Sequence, residues 1–115
     1  MSVAYQPPPD QGLVVHFCDD ALLVVDKPSG LLSVPGRGSD KQDCLASRVA
    51  AVYPQAKVVH RLDMSTSGLM IMALSQQAQS QLGRLFQARQ VYKRYIAVVD
   101  GVPRQREGSI DLPLI

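Results

Sequence analysis

Apolar residues in this chain occur in short runs separated by turn-forming residues, and two such runs follow each other near the start. Residues 13–17 and 22–25 are rich in β-branched side chains, and Cys18-Asp19-Asp20 lies between them. Two short runs of this composition joined by a short polar turn are typical of a β-hairpin. The pattern therefore predicts a hairpin over residues 13–25.

Two later stretches have their apolar residues at helical spacing. In the first, Asp43 is placed to cap a helix that Pro54 ends. In the second, Ser75 is placed to cap a helix over residues 76–90. The apolar positions that define these two faces are Leu45, Val49 and Val52 in the first helix, and Ala78, Leu82, Leu85 and Phe86 in the second.

The remaining apolar runs predict further strands. Residues 69–74 are continuously apolar, and we expect residues 58–63, 91–99 and 108–115 to be extended as well. Strands then outnumber helices and alternate with them irregularly. The predicted class is α+β, with a mostly antiparallel mixed sheet and two flanking helices.

The two ends of the chain differ from its middle. Residues 1–12 contain three consecutive prolines and predict a flexible lead-in, which places the domain at residues 13–115. The last four residues, Leu112-Pro113-Leu114-Ile115, lie inside an apolar run, whereas chain termini are usually exposed. We therefore expect either a fragment of a longer product or a truncated protein that needs a partner chain. An exposed sheet edge would then favour self-association.

Composition bounds the protein without identifying it. A chain of 115 residues with 46% hydrophobic and 19% charged residues has the composition of one small globular domain. Cys18 and Cys44 lack metal-ligand spacing, and we find no signal peptide and no apolar stretch of membrane-spanning length. These features predict a cytoplasmic protein with no membrane partner and no metal site.

Charge is informative through its distribution more than its total. The net charge is only +2, but basic residues cluster in the last third of the chain. A clustered basic face is the usual mark of a nucleic-acid partner, although a solvated helix followed by a charged loop has the same composition. The cluster comprises Arg84, Arg89, Lys93, Arg94, Arg104 and Arg106.

Residues 60–68, with the sequence HRLDMSTSG, carry the strongest chemical signal. If this segment enters its turn in an extended conformation, Arg61 and Asp63 project to the same side. A fixed guanidinium favours the ionised form of a neighbouring carboxyl group. An ionised, oriented Asp63 could serve as a nucleophile or as a base.

The same nine residues resemble the HRLDxxTSG motif of the RluA-type RNA pseudouridine synthases and match it at every fixed position. Residues 26–37 resemble the segment before that motif in the branch that acts on both ribosomal and transfer RNA. Residues 91–97 resemble the family's Lys-x-Tyr strand. The resemblance extends from about residue 13 to the end and implies the N-terminal half of a catalytic domain that isomerises specific uridines without a metal or cofactor.

The resemblance also implies roles for individual residues. Asp63 matches the obligatory catalytic aspartate, and Tyr95 matches an active-site tyrosine that could stack on the base. A core position for Tyr95 is the alternative. Arg61 is a candidate for a phosphate contact or for filling the space of the extruded base, and equally for a structural ion pair with Asp63.

Four further residues complete the candidate RNA-binding set. His60 is expected to act as a packed or hydrogen-bonding support. Lys93 shares a face with Tyr95 on an extended backbone, and Arg84 and Arg89 lie on the second predicted helix. Two functions remain open, namely an RNA uridine isomerase and a truncated, catalytically incomplete RNA-binding fragment of one. Hydrolysis of a glycosidic bond is disfavoured because that chemistry usually employs two carboxylates.

Overall fold

The computed structural model describes residues 4–109, and within them four strands form one antiparallel sheet. The strands are β1 (Val15–Cys18), β2 (Leu22–Lys27), β3 (Lys57–Val58) and β4 (Gly68–Ala73), in the spatial order β1-β2-β4-β3. Two helices, α1 (Leu45–Ala50) and α2 (Gln76–Gln87), accompany the sheet, together with a short 3-10 turn at Ser39–Lys41. These elements confirm the α+β class and the predicted hairpin, which begins two residues later than expected.

The pairing of β2 with β4 forms the centre of the sheet. Leu23 lies opposite Met72 and Val25 lies opposite Met70, and all four side chains are fully or almost fully buried. Because side chains alternate along a strand, this register turns one face of both strands towards the core. The buried core cluster is Leu23, Val25, Leu31, Leu45, Val49, Leu62, Met70 and Met72.

The second helix confirms its predicted start and corrects its predicted end. The Ser75 hydroxyl accepts a hydrogen bond from the backbone N–H of Ala78 at 3.0 Å, which is the geometry of an N-cap. The helix ends at Gln87, three residues before the predicted end at 90. Arg89 has a φ of 57°, a left-handed conformation that cannot continue a right-handed helix.

The first helix is shorter than predicted, and Asp43 is not its cap. Cys44 takes that position, because its sulfur accepts from the Ser47 N–H while the Ser47 hydroxyl accepts from the Cys44 N–H. The Asp43 carboxylate instead forms a two-point ion pair with Arg48, which holds the pKa of Asp43 below its ordinary value. Val52 lies beyond the helix end and is 62% exposed, so its predicted place on the core face was wrong.

Two of the predicted strands are also corrected. Of residues 58–63, only Val58 belongs to a strand, and the rest form an irregular loop. Residues 91–99 form no strand, and the side chains of Tyr92 and Ile96 are both 90% exposed. A strand needs a neighbour to satisfy its backbone groups, and within residues 4–109 nothing pairs with this segment. The strand predicted over 108–115 falls mostly outside the described residues, and residues 108 and 109 are irregular.

The lead-in is extended, and part of it is anchored to the domain. The Tyr5 hydroxyl bonds to backbone groups of Leu32 and Asp43, and Arg48 donates to the carbonyl oxygen of Pro8. Residues 5–8 are therefore more constrained than the flexible lead-in predicted for residues 1–12. No helix among residues 4–109 has the length and apolar character needed to cross a bilayer.

Candidate active site

Asp63 lies in the loop between β3 and β4, with its side chain exposed to solvent. It lines an open depression of about 380 Å³. The other lining residues are Leu32, Ser33, Val34, Arg61, Leu62 and Met64. An exposed carboxylate at the wall of a depression is accessible to a substrate, which a buried one would not be.

The residue before Asp63 is held by a single buried side chain. The Ser33 hydroxyl donates to the Leu62 carbonyl oxygen at 2.6 Å and accepts from the Leu62 N–H at 3.1 Å. Ser33 is only 4% exposed, so both hydrogen bonds are shielded from competing water. Both backbone polar groups of Leu62, the N–H and the carbonyl oxygen, are therefore hydrogen-bonded, and this holds the backbone that leads into Asp63.

The residue after Asp63 is held in a comparable way. The Met64 carbonyl oxygen accepts from the Lys27 ammonium at 3.1 Å and from the Gly30 N–H at 2.8 Å. Gly30 has a φ of +91°, a conformation that side-chain-bearing residues rarely adopt. The turn at Gly30 therefore lets the backbone approach Met64, and residues 27–33 hold the loop on both sides of Asp63.

Lys27 is a fully buried cation at the end of β2. Its ammonium also donates to the carbonyl oxygens of Pro28 at 3.0 Å and Leu31 at 2.6 Å, so three carbonyl groups surround the charge. Burial lowers the pKa of Lys27, and attraction to the Asp63 carboxylate partly opposes that shift. The charge of Lys27 therefore lies near Asp63 and next to the depression, without a direct contact between the two side chains.

His60 joins the candidate loop to β4 and α2. Its Nε2 accepts a hydrogen bond from the Ile71 N–H at 3.0 Å, and its ring stacks on Phe86 with centroids 4.5 Å apart. Burial, and then the nearby charge of Lys93, lower the pKa of His60. A ring nitrogen that accepts a backbone hydrogen bond must be unprotonated, so His60 occupies the position of a neutral support.

Arg61 lies in the same depression as Asp63, but the two side chains do not form an ion pair. Among residues 4–109 the side-chain ion pairs are His16 with Asp26 and Arg48 with Asp43. Arg61 is exposed beside the carboxylate, where its guanidinium is open to a ligand. Of the two alternatives left open for Arg61, the direct pair with Asp63 is absent here.

The other candidate residues lie outside this depression. Tyr95 is 62% exposed and is not among the lining residues, and the ammonium of Lys93 sits 5.4 Å from the Phe86 ring centroid. Arg84 is exposed near the end of α2, and Arg89 is exposed just after it. In this structure, therefore, only Arg61 of the RNA-binding candidates shares the depression with Asp63.

Lys27 and Ser33 were not among the predicted site residues, although both belong to the segment that resembles the family. The sequence did contain a signal for Lys27. Leu23, Val25 and Lys27 occupy alternate positions on β2, so Lys27 shares the inward-facing side of the strand with two buried apolar residues. A lysine at a core position must find several hydrogen-bond acceptors. Ser33 carried no comparable signal. Within residues 4–109, no three His, Cys, Asp or Glu side chains come together as a metal site.

Known proteins that resemble this chain are RNA-modifying enzymes. The chain is 50% identical over 111 residues to the dual-specificity RNA pseudouridine synthase RluA of Escherichia coli strain K12, covering 96% of this chain and 51% of that protein. It is 53% identical to the enzyme of the same name from Vibrio parahaemolyticus, covering 96% of this chain and 44% of that protein. The chain thus spans about half the length of these relatives.

Two solved structures share the fold. Human RNA Pseudouridylate Synthase Domain Containing 4 superposes with a TM-score of 0.56 at 27% identity, over 67% of this chain and 30% of its own. Human RNA Pseudouridylate Synthase Domain Containing 1 superposes with a TM-score of 0.55 at 27% identity, over 73% of this chain and 31% of its own. The family model described as RNA pseudouridylate synthase matches residues 21–115. By that match and these identities, the chain belongs to the RNA pseudouridylate synthase family.

Proposed function

We propose that residues 13–115 supply the N-terminal half of a catalytic domain that converts specific uridines of structured RNA to pseudouridine, with Asp63 as the catalytic residue. The observation that carries this proposal is the placement of Asp63. Its carboxylate is exposed at a depression, while Leu62 before it is held by two buried hydrogen bonds and Met64 after it by a partly buried one. Catalytic groups need this combination of access and rigidity.

The reaction breaks the bond between ribose C1′ and uracil N1, turns the base, and joins C1′ to uracil C5, after which the hydrogen on C5 is released. The Asp63 carboxylate can attack C1′ and be displaced when the new bond forms, or it can remove a proton from C2′ and return it. Both routes need an ionised acid near the sugar. The buried ammonium of Lys27 bonds to the carbonyl oxygen of Met64, so the backbone that directly follows this acid is held in place.

A uridine in a stem-loop must leave its stack to place its sugar beside Asp63. Arg61 is exposed in the same depression and is suited to contact a phosphate or to occupy the vacated space. Lys93, Arg84 and Arg89 would add phosphate contacts from the neighbouring surface, and Tyr95 would stack on the base if its segment moves to the depression when RNA binds. The proposed substrates are ribosomal RNA, a transfer RNA anticodon stem-loop, or both, and the dual specificity in the name of the relatives supports more than one RNA substrate.

The test is release of tritium from stem-loop RNA labelled at uridine C5, because the reaction replaces that hydrogen with carbon. The full-length protein that contains this sequence is expected to release tritium, and Asp63→Asn is expected to abolish release while leaving RNA affinity nearly unchanged, since affinity rests mainly on phosphate contacts. Asp40→Asn, an exposed aspartate outside the depression, is the matched control. Undiminished release by Asp63→Asn would refute the proposal.

The second candidate function is a catalytically incomplete RNA-binding fragment. The depression beside Asp63 is open, and the chain covers about half of its relatives, which favours this function for the 115-residue chain alone. The same assay separates the two. Tritium release by the 115-residue chain would assign it the full activity, whereas binding without release, together with release by the longer protein, would assign it the fragment role.

A further inference from the structure

The N-terminal segment contacts the backbone that supports Asp63. The Tyr5 hydroxyl accepts a hydrogen bond from the Leu32 N–H at 3.0 Å and donates one to the Asp43 carbonyl oxygen at 2.8 Å. Tyr5 is 38 residues away from Asp43 in sequence, so one side chain joins three distant parts of the chain. We call residues 4–8 the N-terminal strap.

The strap is held in place at a second point. Arg48, which is fixed by its ion pair with Asp43, donates to the Pro8 carbonyl oxygen. Pro8 also packs over Gly30, where its Cδ would lie 3.7 Å from a β-carbon built on that glycine. One contact therefore attaches the strap to α1, and the other places Pro8 beside the turn that contains Gly30.

From Tyr5, the contacts continue to the proposed catalytic residue in two steps. Leu32 is bonded to Tyr5, and the next residue, Ser33, bonds both backbone polar groups of Leu62, which directly precedes Asp63. The backbone carbonyls of Leu32 and Ser33 in turn accept hydrogen bonds from the first turn of α1, from Leu45 at 2.8 Å and from Ala46 at 3.1 Å. The loop at 32–33 thus lies between the strap, α1 and Leu62.

The strap also lines a depression that shares residues with the one at Asp63. Tyr5 lines a second depression of about 430 Å³, and two of the residues lining it, Leu32 and Met64, line the Asp63 depression as well. The two depressions therefore share Leu32, whose N–H donates to Tyr5, and Met64, whose carbonyl oxygen accepts from Lys27. A displacement of the strap would move a wall that both share.

We propose that Tyr5 is a positioning residue for Asp63, and that the N-terminal strap is a working part of the active site. This inference rests on the proposed function. Without the Tyr5 hydroxyl, the Leu32 N–H and the Asp43 carbonyl lose their shared partner, and the loop at 32–33 gains freedom that Ser33 transmits to Leu62. Displacements of about 1 Å in a reacting group can cost a hundredfold in rate, so partial loosening should be visible in kcat.

The experiment compares Tyr5→Phe with Tyr53→Phe in the full-length protein, using tritium release at saturating and limiting RNA. Tyr53 is half-buried against the core, and no hydrogen bond to its hydroxyl is found within residues 4–109, so its variant removes the same atom without a comparable loss. Tyr5→Phe is expected to lower kcat about tenfold with KM changed less than twofold. Tyr53→Phe is expected to change neither.

A second readout reports the backbone itself. Amide hydrogen exchange at Leu62, whose N–H donates to Ser33, is expected to be faster in Tyr5→Phe and unchanged in Tyr53→Phe. Ser33→Ala combined with Tyr5→Phe is expected to be less than additive in kcat, because both variants act on the same loop. A kcat of Tyr5→Phe within twofold of the unsubstituted enzyme would overturn the inference. Activity retained by Asp63→Asn would instead overturn the proposed function, so the two failures are distinct.

Discussion

The ammonium group of Lys27 donates a hydrogen bond to the carbonyl oxygen of Met64, the residue that directly follows Asp63. Lys27 ends β2, whereas Met64 belongs to the loop before β4, and the two residues are 37 positions apart in sequence. The bond therefore fastens the candidate loop to the central pair of strands. It also brings a positive charge close to the Asp63 carboxylate without a direct side-chain contact.

We expect Lys27→Met to destabilise the protein by about 2–4 kcal/mol, because the Leu31 carbonyl oxygen loses a buried charged donor and the Pro28 carbonyl oxygen loses a partly buried one. Met64 keeps its bond from the Gly30 N–H, so its share of the loss should be smaller. Urea unfolding at constant pH measures the change in the free energy of unfolding. Lys57→Met is the matched control, since Lys57 is exposed on the two-residue strand β3.

An equal and small effect of the two lysine variants would show that the ammonium of Lys27 is dispensable for the fold. The catalytic consequence is measured separately, by tritium release at a temperature where Lys27→Met remains folded. We expect kcat to fall for two reasons. The Met64 carbonyl oxygen loses one of its two hydrogen-bond donors, and the positive charge near Asp63 is removed as well.

The elements β4 and α2 show which parts of this fold the sequence alone could predict. The apolar run at 69–74 predicted β4, and Ser75 with helical spacing after it predicted α2, because each element has a local pattern that does not depend on partners. The α1 cap was mispredicted, since Asp43 and Cys44 are neighbours and aspartate is the better capping residue by propensity. A local contact decided otherwise, because the Asp43 carboxylate pairs with Arg48, five residues further along and inside that helix.

The site was predictable where chemistry is local and unpredictable where it depends on distant contacts. The motif proposed Asp63 and Arg61 as candidates, and the structure places both at one depression. Ser33 and Tyr5 could not be identified, because a serine and a tyrosine acquire their partners only when residues about 30 positions apart meet. The strand expected at 91–99 failed for the same physical reason, since local β propensity cannot supply the neighbour that a strand must pair with.

The stacked His60 predicts a pH dependence of stability. In the fold the pKa of His60 lies below its ordinary value of 6.5, mainly because of burial. Above pH 6.5 the His60 ring is neutral in both the folded and the unfolded state. The stability that depends on the neutral ring is then fully present. As pH falls below 6.5 the unfolded state binds the proton first, so stability decreases until the lower folded pKa is reached, with a slope of at most about 1.4 kcal/mol per pH unit.

His60→Gln is expected to remove part of this slope between pH 6.5 and 5, as measured by thermal unfolding across that range. It should also lower the stability at pH 7.5, because the stacking on Phe86 is lost. His16→Gln is the control, since His16 is exposed and paired with Asp26 on the surface. If the two variants and the unsubstituted protein all lose stability in parallel between pH 6.5 and 5, His60 does not titrate as we infer.

Arg84 and Arg89 test whether the C-terminal end of α2 meets RNA. Each phosphate contact that is lost should reduce the slope of log affinity against log salt concentration by about 1 and weaken binding to all sequences alike. We therefore expect the Arg84→Ala and Arg89→Ala variants to bind a labelled stem-loop more weakly and with shallower salt dependence. Arg84→Lys keeps the charge and should preserve the slope. An unchanged slope in both alanine variants would make this a solvated surface.

The cap of α2 offers a test that is independent of RNA. The Ser75 hydroxyl accepts from the Ala78 N–H, one of the N–H groups at a helix start that have no partner within the helix. Ser75→Ala is expected to cost about 1 kcal/mol of stability in urea unfolding. Ser80→Ala should be neutral or slightly stabilising, because Ser80 is exposed inside the helix and alanine has the higher helix propensity. A similar loss in both variants would mean that the Ser75 hydroxyl contributes no specific capping energy to α2.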